Sequence, residues 1–175
     1  MPCLAIDNLV FTFPSSVAAQ HYDTWQHYQT VWSCRGRKAM DVVAIEGLPM
    51  PVTTWLIEAK DFRVINSPPQ PSNIAGLAQT VADKVTDTIF GLNDAQNAAT
   101  IVSEKAHASR ALVAPTKRIV LHLEPHVGAH TALFPNGFAA SVLQKLRQLV
   151  TLIDSNPLVL NIANTSAAGV PWSVL

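Results

Sequence analysis

Two short apolar runs on either side of a glycine-proline turn constrain this chain more than any other feature. Residues 38–45 hold Met40, Val42, Val43, Ala44 and Ile45, residues 52–62 hold Thr53, Thr54, Trp55, Leu56 and Ile57, and Gly47-Leu48-Pro49-Met50-Pro51 stands between them. Runs this short and this rich in branched and aromatic side chains predict strands buried in a sheet, and the turn predicts that they pair antiparallel. Each run also carries charge where desolvation is costly: Asp41 in the first, Glu58 and Lys60 at the end of the second. Side chains alternate along a strand, so Glu58 and Lys60 share a face and Ala59 points away from it.

The other elements follow from periodicity. Pro14-Ser15-Ser16 supplies a turn and a hydroxyl cap, and Ala18, Tyr22, Trp25, Tyr28 and Trp32 then recur at three- and four-residue steps, predicting a helix that Gly36 stops. Pro68, Pro69 and Pro71 make residues 66–73 a loop. Ile74, Leu77, Ala78, Val81, Val85, Ile89 and Leu92 form the stripe of a helix ending near Gly91, with Gln79, Asp83, Lys84 and Asp87 on its wet side. An alanine-rich helix over 94–111, a strand over 117–123, an amphipathic helix through Phe138, Leu143, Leu146, Val150 and Ile153, and a strand over 158–163 complete the chain. The order αβββααβαβ predicts an α/β fold, a central mixed sheet flanked by helices.

At 175 residues one domain is expected. The 49% apolar and 14% charged composition excludes a disordered chain, and a net charge of zero argues against broad electrostatic affinity for nucleic acid, which rests on clustered Lys and Arg. Cys3 and Cys34 are too few for a disulfide framework and lack zinc-site spacing. No stretch approaches the ~20 apolar residues of a membrane helix. A cytoplasmic protein with free thiols and no membrane contact is the expectation.

Isolated charges in such apolar strands need a partner or a cation. The turn brings Asp41 and Glu58 to neighbouring strands, and two carboxylates plus the backbone carbonyl of Ala59 match the hard oxygen ligands of Mg2+ or Mn2+. A lysine beside them, Lys60, can orient an attacking water and offset charge on phosphorus. The pattern Asp41-Val42-Val43-Ala44, a turn, then Leu56-Ile57-Glu58-Ala59-Lys60 resembles the PD-(D/E)XK, or restriction-endonuclease-like, nuclease superfamily, nearest in form to its Holliday-junction-resolvase and RecB-type branches. The resemblance covers roughly residues 15–125, with 134–175 as a helix-strand extension. It implies metal-dependent phosphodiester hydrolysis of DNA, endo- or exonucleolytic, with Asp41 and Glu58 as metal ligands and Lys60 as the catalytic lysine. It further implies Gln79 as a supporting residue from the next helix, and Asp23 in place of the glutamate that many members carry on the first helix. A homodimer would supply two sites for two scissile strands.

Other constellations carry less. Arg35, Arg37 and Lys38 flank the site as candidate phosphate contacts. His122, His126 and His130 recur every four residues, but Pro125 and Gly128 deny them a common helix. Trp25, Trp32 and Trp55 read as core rather than as base-stacking platforms. The alternative to a nuclease is a catalytically inactive nuclease-fold module that binds partner proteins in a nucleic-acid-processing or defence assembly.

Overall fold

The computed structural model describes residues 1–47, 49–63, 76–126 and 134–175. The expected loop over 66–73, the start of the helical stripe at Ile74, and Gly128 and His130 lie outside them. The strands are β1 (Cys3–Ile6), β2 (Leu9–Thr12), β3 (Val17–His21), β4 (Val42–Glu46), β5 (Thr53–Asp61), β6 (Thr116–Glu124), β7 (Leu158–Leu160) and β8 (Ser173–Val174). The helices are α1 (Leu77–Ala98), α2 (Val102–Val113), α3 (Phe138–Val150) and the single turn α4 (Ile162–Thr165). The described residues form a mixed α/β structure with two sheets.

The larger sheet has the order β3-β4-β5-β6-β7. β4 runs antiparallel to both neighbours, pairing Val42 with Ile57 and Val43 with Leu56 across the expected hairpin, whereas β5, β6 and β7 are parallel. Parallel neighbours need a crossover, and the chain supplies α1 with α2 between β5 and β6, and α3 between β6 and β7.

The two-residue period of the strands divides the core into two layers. Val43, Ile45, Leu56, Ile119 and Leu121 face the helices and pack on Leu77, Val81, Val85 and Leu92 of α1, Ala108 and Ala111 of α2, and Leu146 of α3. Val42, Ala44, Trp55, Ile57, Ala59 and Val120 face the other way, onto Ile6, Leu9, Phe11, Phe13, Trp172 and Val174 of the small sheet β1-β2-β8 and its flanks. A strand buried on both sides reads as a continuous apolar run, which is why β4 and β5 stand out in the sequence.

Three expectations are corrected. The helix expected up to Gly36 is a strand, β3, over its first part, followed by short helical turns at Tyr22–Thr24, Tyr28–Trp32 and Ser33–Arg35. The open edge of β4 offers this segment a full ladder, from Val17 opposite Glu46 to His21 opposite Val42. Helical spacing survives where Tyr22, Trp25 and Tyr28 enter the core, with Trp32 packed against it. Secondly, α1 runs through Gly91 to Ala98 and the following helix starts at Val102. Gly91 is a contact site: a Cβ there would run into the Tyr22 hydroxyl. Thirdly, the N-terminal hairpin β1-β2 and β8 add strands to the expected order, and the strand expected over 158–163 stops at Leu160, where Asn161 caps α4.

Candidate functional site

Asp41 lies in the bend just before β4, held from three sides. Its backbone carbonyl accepts from the Tyr22 amide at 2.9 Å. The preceding residues are tied to α1, the Lys38 amide donating to Asp87 Oδ2 and the Met40 amide to Thr88 Oγ1, both at 2.9 Å. Its carboxylate accepts the Ala59 amide at 2.8 Å through Oδ2. β4 and β5 thus meet at Asp41 by a side-chain bond, immediately before the ladder that begins with Val42 opposite Ile57.

Glu58 and Lys60 leave β5 on the helix-facing side, as alternation requires. Glu58 is completely buried, and Lys60 Nζ lies 2.7 Å from its Oε1. A second ammonium completes the cluster: Lys84 Nζ, from the sheet-facing side of α1, lies 2.7 Å from Glu58 Oε1, 2.8 Å from Oε2 and 3.7 Å from Asp41 Oδ1. The Lys84 side chain is 17% exposed and that of Lys60 31%, so the cluster opens to solvent on the Lys60 side. Two carboxylates and two ammoniums leave it neutral.

Burial pushes the Glu58 carboxyl up, as does the neighbouring charge of Asp41, while Lys60 and Lys84 pull it back without cancelling the rise. For Lys60 burial acts downward and is the largest influence, but the charges of Glu58, Asp41 and Asp7, with the Glu58 hydrogen bond, leave the ammonium above its ordinary value. Asp7 arrives from the β1-β2 turn with φ +52, a left-handed conformation that Asp tolerates. The small sheet therefore brings an acid near Lys60.

Asp23 stands in the Tyr22–Thr24 turn, not on a long helix, 3.8 Å from His21 Nδ1: burial raises its pKa, His21 and Lys84 oppose the rise, and the charge of Asp41 adds to it. Its Oδ1 is buried without a hydrogen-bond partner. Gln79, by contrast, is turned to solvent and donates to Asp83 at 2.9 Å, away from the cluster. Arg37 and Lys38 are paired with acids of α1, Arg37 with Asp87 and Lys38 with Asp83, each at 3.3 Å, and with the exposed Arg35 they line the Asp83–Asp87 stretch of that helix. His122 and His126, the two of the spaced histidines among the described residues, engage different partners. His122 is buried between the sheets, 2.9 Å from Glu124 Oε1 and edge-on to Phe11, while His126 Nδ1 bonds the Phe62 carbonyl at 2.8 Å. Trp25 and Trp55 are core residues, and Trp32 is partly buried and donates to Asp94.

Lys84 is the residue that sequence reasoning missed, having assigned it to the wet side. A signal was present. Val81, Lys84, Val85 and Thr88 follow the three- and four-residue steps of one helical face, which places Lys84 within the apolar stripe.

Among the described residues no three His, Cys, Asp or Glu side chains gather as a metal site. The donor set nevertheless fits a cation, because Asp41 and Glu58 converge on a single ammonium that stands where a positive charge is required.

No family model and no solved structure matches the chain. A cysteine–tRNA ligase of Neisseria meningitidis serogroup A is 26% identical over an alignment of 213 positions, gaps included, which covers 99% of this chain and 30% of that protein. The chain thus spans less than a third of the relative's length. No helix among the described residues is long and apolar enough to cross a membrane.

Proposed function

We propose that this chain is a nuclease domain of the restriction-endonuclease-like kind that hydrolyses phosphodiester bonds in DNA. One observation carries the reading: Asp41, just before the first strand of one hairpin, and Glu58, in its second, both face one ammonium, that of Lys84, while Lys60 pairs with Glu58 from the solvent side. The sheet order, with the Asp strand antiparallel to both neighbours and helices across the carboxylate face, supports it. Asp41 and Glu58 would hold Mg2+ or Mn2+, and Ala59, whose amide already fixes Asp41, would lend its carbonyl. The metal would supply Lewis-acid polarisation of the phosphoryl oxygens and an acidified water. Lys60, the most exposed member of the cluster, orients the attacking water and offsets charge on phosphorus, with Glu58 fixing its ammonium. The cytoplasm is the proposed location and a homodimer the proposed assembly for cutting two strands.

The test is cleavage of a panel of linear, nicked, branched and single-stranded DNA in Mg2+ and Mn2+, comparing wild type with Glu58→Gln and Lys60→Met. Metal-dependent cleavage by wild type that both substitutions abolish is expected. Cleavage that survives both would refute the assignment.

A second reading has an observation of its own. The ammoniums of Lys60 and Lys84 already neutralise Asp41 and Glu58, which suits a catalytically silent nuclease-fold module in a nucleic-acid-processing assembly. The resemblance to under a third of a protein named for joining cysteine to tRNA accords with a module of that sort. A folded wild type that neither cleaves DNA nor binds Mn2+ would move the assignment there.

A further inference from the structure

Lys84 is placed in a way that ordinary helix packing does not require. A lysine at the inner edge of a helical stripe normally extends its stem along the core and releases its head to water. Here the ammonium turns back onto both oxygens of a fully buried carboxylate and toward a second one, and the chain leaves it little solvent. Lys60 alone already provides Glu58 with a counter-charge at 2.7 Å, so Lys84 adds a second cation at the point where Asp41 and Glu58 face each other.

We infer that Lys84 is an internal occupant of the cation position between Asp41 and Glu58, competes with a divalent ion for it, and must withdraw its ammonium before that ion binds. The inference rests on the metal-binding reading above and extends it by naming the residue that sets metal affinity. Like charges a few ångströms apart repel, so the Lys84 ammonium and a divalent ion cannot both occupy the position that faces Asp41 and Glu58 together, whereas Lys60 meets Glu58 alone. Lys84 has somewhere to go: its side chain already reaches solvent in part, and four methylenes allow the head to swing out to water. The device keeps the buried carboxylates paired when no metal is present, and sets a threshold of metal concentration for loading the site.

The experiment uses the full chain, with Mn2+ binding read by electron paramagnetic resonance and by the thermal midpoint in chelator and in Mn2+. Variants are Lys84→Met, which keeps the stem and removes the charge, and Lys84→Gln, a polar replacement in case the first does not fold. Wild type is expected to bind Mn2+ weakly, Lys84→Met at least about tenfold more tightly, or about 1.4 kcal/mol. Lys84→Met should also melt lower than wild type in chelator and regain the loss in Mn2+. Adding Asp41→Asn to Lys84→Met should abolish the gain. If folded Lys84 variants bind Mn2+ no more tightly than wild type, and wild-type binding is lost in Asp41→Asn, the competition is refuted while the metal site stands. If neither wild type nor variants bind Mn2+, both fall.

Discussion

The Lys84 ammonium donates to both carboxylate oxygens of Glu58, at 2.7 and 2.8 Å, across 26 positions of sequence. Glu58 is wholly buried, so this contact and the one from Lys60 are what satisfy its oxygens inside the helix-facing layer.

Removing one partner of a buried ion pair strands the other, at a cost of about 3–5 kcal/mol. Glu58→Ala is therefore expected to lower unfolding free energy by that order in urea titrations. Replacing both partners with apolar residues, Glu58→Met with Lys84→Met, should cost less than the two single changes added together. A double variant that matches the sum within about 0.5 kcal/mol would show that the two are not coupled.

Glu104 of α2 accepts the amides of Gln26 and His27, at 2.7 and 3.1 Å, capping the short helical segment from a distant part of the chain. Unpartnered buried donors cost about 1–3 kcal/mol. Glu104→Ala should destabilise by that amount and raise amide exchange across residues 26–35 first. Unchanged exchange there, with a global loss of stability, would contradict a capping role.

His107 is buried against Trp25 with its Nε2 3.0 Å from the Val43 carbonyl, and burial holds its pKa down from 6.5 to about 4. The folded state disfavours the protonated ring that the unfolded chain accepts freely. Stability is therefore full above pH 6.5 and falls as pH drops toward 4, by up to ~3 kcal/mol. The difference between wild type and His107→Gln, which keeps an N–H donor but does not titrate, should carry this slope. Parallel pH profiles for the two proteins would exclude His107 as its source.

Tyr22 lies against Gly91 so closely that the glycine has no room for a Cβ, and the tyrosine hydroxyl is buried without a hydrogen-bond partner. Gly91→Ala should cost about 1–3 kcal/mol through overpacking, despite alanine's better helix propensity. Adding Tyr22→Phe removes the atom in the way and should recover most of the loss. A thermal midpoint of Gly91→Ala equal to wild type would show that Tyr22 moves aside freely.

The hairpin of β4 and β5 was legible because both strands are buried on two faces and so carry dense apolar runs, with Asp41, Glu58 and Lys60 as conspicuous exceptions. α1 was legible for the complementary reason that only one face is buried. β3 was misread because Ala18, Tyr22 and Trp25 imitate helical spacing, and nothing local reveals that β4 has an open edge to be paired. The N-terminal hairpin did carry a period-two signal, Leu9, Phe11 and Phe13 inward with Val10 outward, in strands of only four residues.

The sequence by itself determined the mixed α/β character, the Asp41 to Lys60 hairpin and the common face of Glu58 and Lys60, because these depend on strand alternation and turn chemistry, which act over a few residues. Tertiary structure alone decided that Lys84 rather than Gln79 meets the carboxylates, and that the charges of Asp23 and Asp7 are felt at Asp41 and Lys60. Periodicity limits which side of a helix faces the sheet, but the packing angle and the pull of a buried unpaired charge select which polar residue at the margin of that side is drawn inward.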